Sequence, residues 1–232
     1  SSLKTTARLT GLFYLGLAIT GMLGFIMIRP ALYDPADAAQ TAANLLAQPG
    51  LARIGIALEL GIVLTQALAA VWFYRLFRAV DSFAAGAIAA FGMVNAVAIL
   101  FSAAALTVAL QVALDPALAP GGDAAATAQL MYALSSGAWG GGALFFGLWL
   151  IPMGYAVLAS GWMPRLLGQI LVVGGVGYLL SAFAKVLLVG APTWLAAALT
   201  VPASVGEFWM VGYLLFMGVR ASARETAVTA AT

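Results

Sequence analysis

Six separate stretches of this chain, at about 9–28, 54–77, 83–113, 130–159, 166–190 and 194–219, are almost wholly apolar. A helix of about 20 residues is what it takes to cross the hydrocarbon core of a bilayer. No water reaches the backbone there, so each such segment must close its own N–H and C=O hydrogen bonds, and a helix does so within itself. The pattern predicts an all-α integral membrane protein in which residues 1–232 form a single six-helix domain. The stretch at 83–113 is too long for a perpendicular crossing and is expected to tilt or to project by roughly two or three turns, as is the one at 130–159. The first run follows Lys4 and Arg8 and lacks a small-residue cleavage motif leading into polar sequence, so it is expected to be a retained span.

Composition narrows the function classes. Charged residues make up 8% of the chain and hydrophobic ones 64%, against about 25% charged in an ordinary globular domain. Outside the spans only short tails and loops remain, with no stretch polar enough for a further domain. The net charge of +2 comes from basic residues scattered at span ends, not from a stripe that could track a nucleic-acid backbone, so no nucleic-acid partner is expected. The chain has no Cys and no His, which removes thiol nucleophiles, disulfides, Cys/His metal sites and the commonest general base. No metal or cofactor is expected, and an intramembrane enzyme would be confined to carboxylate, Lys, Tyr or Ser chemistry.

Lys and Arg set the expected orientation. Lys4, Arg8, Arg75, Arg78, Arg165, Arg220 and Arg224 fall on one side of the spans; Arg29 and Arg53 fall on the other, where Lys185 lies inside the end of the fifth span. The positive-inside rule then places both termini in the cytoplasm. In the first outer loop, Asp34 as N-cap, Pro35 at the first helical position and Pro49-Gly50 as terminator predict a short helix lying on the membrane surface. Asp123 is predicted to cap the fourth spanning helix. Small residues, "GAWGGG" at 137–142 and "GGVG" at 174–177, predict close helix packing and not phosphate binding, since no strand precedes them. Trp72, Phe73, Tyr74, Trp162 and Trp194 are expected to be interfacial anchors.

The order "DPADAAQTAANLLAQPGLARIGIALEL", "LFFGLWLIPMGYAVLASGWMPRLLGQILVVGGVGYLLSAF" and "VGEFWMVGYLLFMGVR" resembles a bacterial membrane family known as domain of unknown function 4386. The likeness runs over nearly the whole chain. It rests on an outer loop with Asp and a Gly-Leu-x-Arg exit, a Gly-Tyr before a Pro-Arg turn, a Gly-Tyr in the next helix and a Gly-Glu in the last. The resemblance implies a multi-pass protein of the bacterial inner membrane and no activity. It also implies a histidine near the start of the fourth helix; this chain has Ser135 and Ser136 there, so that role is absent or changed.

Ionisable side chains inside a span cost about 2.5–3.5 kcal/mol each on insertion scales and therefore mark candidate sites. Glu59, Lys185 and Glu207 qualify. From the rise per residue, Glu59 and Lys185 fall roughly 7–9 Å below the outer boundary, and Glu207 roughly 20 Å down, at the depth of Gln66, Asn95 and Tyr178. Gly174, Tyr178, Ser181 and Lys185 form one helical stripe, Thr200, Ser204 and Glu207 a second, and Gly55, Glu59 and Gln66 a third. Pro202 leaves the carbonyl of Ala198 without its helical donor one turn above Glu207.

Two readings follow. In one, Glu59, Lys185, Gln66, Asn95, Tyr178, Ser181, Thr200, Ser204 and Glu207 line an outward-facing cavity that binds or transports a small amphipathic or cationic molecule. In the other, Glu59 and Lys185 only pair, and a protonated Glu207 only bonds Asn95 or Gln66. An accessory subunit of a larger membrane complex is the alternative function. The partners left open are the bilayer itself, a small-molecule or lipid ligand, further copies of the chain, and a membrane-complex partner.

Overall fold

The structure is a computed structural model and describes residues 2–188, 190 and 192–220. Among these, six helices are long and apolar enough to cross a membrane. They are α1 (Leu3–Leu32), α3 (Pro49–Phe77), α4 (Ser82–Leu114), α5 (Ala124–Ser160), α6 (Arg165–Leu187) and α7 (Thr193–Gly212). A shorter helix, α2 (Ala38–Ala47), lies in the loop after α1. Two helices include π-type winding: Leu23–Ile28 within α1, and Tyr213–Met217 continuing α7. Of the basic residues that set the expected orientation, Arg224 lies outside the described residues.

All five aspartates are used at helix ends or turns, where a short carboxylate can reach a nearby free N–H. Asp81 Oδ1 accepts from Ala84 N at 2.9 Å before α4, and Asp123 Oδ1 from Ala126 N at 2.9 Å before α5, as predicted for Asp123. Asp115 accepts from Ala117 N in the turn after α4. The first loop corrects the sequence reading by one turn. Asp37, not Asp34, caps α2, accepting from Gln40 N at 2.9 Å, while Asp34 Oδ1 accepts from Ala36 N to close a turn through Pro35. α2 ends at Ala47, just before Pro49 as predicted, and Pro49 also opens α3, because a residue lacking an N–H loses nothing at a helix start.

The chain divides into two compact units. The first draws on residues 2–15, 66–95 and 143–220. Its core is aromatic: the rings of Tyr14, Phe73 and Trp149 meet edge to face at 5.4–5.5 Å, and Phe77 stacks on Trp162 at 6.1 Å. Phe73 and Trp162 are therefore core residues, 0% and 5% exposed, and not interfacial anchors; Trp194, at 65%, is exposed as an anchor would be. Here α6 meets its neighbours through glycine. A side chain at Gly177 would strike the carbonyl of Leu199, and one at Gly174 the backbone of Ala203, both on α7. The "GGVG" run thus packs helix on helix as expected.

The second unit draws on residues 16–65 and 96–142. Its core gathers Ile28, Leu32, Leu45, Ala109, Leu110, Ala128 and Tyr132. The α1–α2 loop is tied down by amides: Gln129 Nε2 donates to Asp34 O at 2.9 Å and Asn44 Nδ2 to Leu32 O at 3.3 Å. The glycines of "GAWGGG" depart from expectation, since Gly137, Gly140 and Gly141 have no atom within 4 Å of where a Cβ would stand. Small residues permit close approach without compelling it.

The two glycine groups should respond oppositely to alanine. Gly177→Ala is expected to lower thermal stability by about 1–3 kcal/mol through overpacking against α7, whereas Gly141→Ala should leave it equal or slightly higher. Melting of the two purified variants in one detergent checks this; a Gly177→Ala protein as stable as the parent would contradict the described α6–α7 contact.

Candidate functional site

In the second unit, the end of α1 places one cation among aromatic rings. Phe25, Arg29 and Tyr33 are four residues apart, and the π-type winding of Leu23–Ile28, with Arg29 N–H bonded to Gly24 O, leads into Arg29. The guanidinium carbon lies 5.3 Å from the Phe25 ring centroid and 5.5 Å from those of Tyr33 and Tyr132. Tyr33 and Tyr132 stack at 4.8 Å. Arg29 Nη1 donates to Ser135 Oγ at 3.0 Å, and Nη2 donates to Ser136 Oγ at 2.6 Å and to Tyr132 O at 3.2 Å. The serines at the position where the resemblance implies a histidine are therefore the acceptors for this arginine. Charge-assisted hydrogen bonds and ring faces together offset the cost of holding a guanidinium in a spanning helix.

Glu59 stands across a small cavity from this group. Its side chain is 5% exposed, and Oε1 accepts from Trp139 Nε1 at 3.1 Å. Oε2 is buried and makes no well-formed hydrogen bond among the described residues, although the Ser102 hydroxyl interacts with the carboxylate as a side-chain donor. Ser102 lies near the carboxylate, and its hydroxyl is shared with Ser135 at 2.7 Å. Glu59, Arg29, Phe25, Gly55 and Tyr132 all line the cavity, whose free space of about 20 Å³ is room for roughly one water molecule. Arg29 and Glu59 act on each other electrostatically, but Arg29 spends its hydrogen bonds on the serines and the Tyr132 carbonyl.

The first unit holds the remaining polar groups. Tyr14 OH donates to Glu207 Oε1 at 2.6 Å, and Tyr178 lies near enough to Glu207 to act on it electrostatically. Gln66 and Asn95, 0% and 1% exposed, have neither amide oxygen nor amide nitrogen bonded among the described residues, and the buried Nε1 of Trp149 lies beside Tyr14. The three side chains come from neighbouring turns of packed helices, for a Cβ at Gly92 would touch both Trp149 and Ala70. Ser181 is buried, whereas Lys185 is exposed in the last turn of α6. Thr200 and Ser204 bond their hydroxyls back to carbonyls of their own helix, at 2.9 Å and 3.4 Å.

Sequence reasoning named Glu59 and Glu207 but missed the partners that each one has. By sequence Arg29 counts only as a basic residue on the outer side of the spans, yet its four-residue spacing from Phe25 and Tyr33 is a usable signal for an aromatic stripe with a charge in it. For Tyr14 the sequence carries no comparable signal. The alternative that Glu207 bonds Asn95 or Gln66 differs from what the structure has, because the Glu207 hydrogen bond comes from Tyr14. No cluster of three or more His, Cys, Asp or Glu side chains that could hold a metal occurs among the described residues.

Tyr14→Phe should destabilise the protein by about 1–3 kcal/mol, because it leaves a partly buried carboxyl without its donor. Adding Glu207→Met should recover part of that loss. Strictly additive effects in the resulting double-mutant cycle would show that the hydroxyl and the carboxyl are not coupled.

No curated protein and no solved structure matches the chain. A family model described as "Domain of unknown function (DUF4386)" matches residues 9–218. With that match covering nearly all six apolar helices, the chain belongs to the DUF4386 family.

Proposed function

We propose that this protein is a multi-pass protein of the bacterial cytoplasmic membrane that binds or transports a small amphipathic or cationic molecule, with Glu59 as the carboxylate that receives it. The observation that carries this reading is Glu59, whose Oε2 is buried without a well-formed hydrogen bond among the described residues, in the lining of a cavity that also includes Phe25 and Tyr132. A buried carboxylate oxygen lacking a donor is costly, and an ammonium or guanidinium group supplies the donor and the charge together. Aromatic faces beside a carboxylate recognise organic cations in particular. In the other unit Glu207, with Tyr14, Tyr178, Gln66 and Asn95, is proposed as a second polar site, with Ser181, Lys185, Thr200 and Ser204 on the same helices.

The proposed orientation has both termini in the cytoplasm, with the α1–α3 and α4–α5 connections outside, so that Glu59 is reached from outside. The excess of Lys and Arg at the opposite helix ends supports it. Cysteines placed at the exposed positions Gln40 and Ala117 should react with an impermeant thiol reagent in intact cells, and one at exposed Ser82 should not. Labelling at Ser82 alone would invert the arrangement.

Binding is tested with tetramethylammonium and the purified protein in detergent, read by calorimetry and by the fluorescence of Trp139, whose indole is bonded to Glu59. Saturable binding is expected. Glu59→Gln keeps an acceptor for Trp139 but removes the charge, and it should weaken binding at least about tenfold, equivalent to 1.4 kcal/mol. Binding of equal strength in the two proteins would remove Glu59 from the site.

A further inference from the structure

We infer that Arg29 occupies the place of the ligand: it is an internal competitor for the aromatic and carboxylate site, and the external ligand is a guanidinium or a compact alkylammonium that takes over when Arg29 withdraws. This inference rests on the binding reading of the Glu59 site. Three observations carry it.

The first is chemical identity. Phe25, Tyr33 and Tyr132 each present a ring within 5.5 Å of one cationic carbon, with two serine hydroxyls and a carbonyl oxygen around it as acceptors. This is the arrangement that would receive a free guanidinium.

The second is what Arg29 leaves undone. Glu59 lines the same cavity, and its Oε2 makes no well-formed hydrogen bond among the described residues, with Arg29 in the same lining. An arginine tethered to α1 satisfies the serines but not the carboxylate. An untethered cation can slide toward the carboxylate, so the carboxylate is the group that distinguishes ligand from plug. The free space of about 20 Å³ is too small for any organic cation until the arginine side chain leaves.

The third is a means of leaving. Leu23–Ile28 is wound as a π-helix and ends at Arg29, whose N–H is bonded five residues back, to Gly24 O. A π turn holds one residue more than an α turn, and such turns occur mostly as short insertions at functional sites. Shifting the Arg29 N–H to the carbonyl four residues back would change the phase of Arg29 relative to the helix before the π turn, and so move the guanidinium against Tyr132, Ser135 and Ser136 on α5. The helix continues through Pro30 to Leu32 and ends at Tyr33, whose backbone is extended.

Displacing an internal cation lowers apparent affinity by the fraction of time the site is vacant, so removing it raises affinity by the same factor. The experiment compares the parent, Arg29→Ala and Arg29→Gln with methylguanidinium and tetramethylammonium as probes, read by calorimetry and by the shift in melting temperature. Either variant is expected to bind methylguanidinium at least about tenfold more tightly than the parent, with the ligand recovering stability lost on substitution. Adding Glu59→Gln should abolish the gain. Arg29→Gln keeps hydrogen-bonding capacity toward Ser135 and Ser136, so it serves if Arg29→Ala does not fold; failure of both to fold with the probe present, when the parent folds, also overturns the inference. A parent that binds tetramethylammonium while the variants bind neither probe more tightly overturns the competitor role and leaves the Glu59 site standing. Absence of binding in the parent and in both variants overturns the site as well.

Discussion

Hydrocarbon offers no hydrogen bonds, and the whole arrangement answers to that. Each apolar helix closes its backbone within itself, and every polar side chain carried into a span must find a partner inside the protein or a guest. Thr20, Thr65 and Thr107 solve the problem locally by bonding carbonyls of their own helix at 2.7–2.8 Å. Charged groups cannot, since no carbonyl of the same helix neutralises a charge. They are drawn across to other helices: Arg29 to the serines of α5, Glu59 to Trp139, Glu207 to Tyr14.

The acidic residues show the same constraint sorting two similar side chains. The aspartates serve turns and helix starts, where a short arm meets a free N–H. Glu59 and Glu207 sit within spans, where a longer arm reaches a tyrosine or tryptophan on a neighbouring helix. Neither glutamate receives a cation within bonding distance among the described residues, so each is held by a neutral donor. A carboxylate held that way retains its demand for a positive partner.

Much of the fold was readable because a span is a local property. Twenty apolar residues specify a helix whatever surrounds them, and the Asp123 cap before α5 follows from its own neighbours in sequence. The start of α2 slipped by a turn because Asp34 and Asp37 are both good caps, and Pro35 closes a turn as readily as it opens a helix. Phe73 and Trp162 were read as anchors because an aromatic near a span end has the same composition whether it points to headgroups or to a core. Only neighbours such as Phe77 and Trp149 decide between the two.

The sequence by itself determined that the chain is a set of six apolar helices, that Glu59 and Glu207 lie within them, and that nothing in it builds a Cys or His centre. Helical phase and depth could not say which side chain meets which. Tyr14 and Glu207 are 193 residues apart, and Arg29 and Ser135 are 106 apart. Rotation of one helix by a single residue would exchange either partner for another, and that rotation is set by how ridges, glycines and aromatic rings interlock between helices. Only the tertiary structure therefore decided that Arg29 would stand among three rings, with Glu59 in the lining of the same cavity.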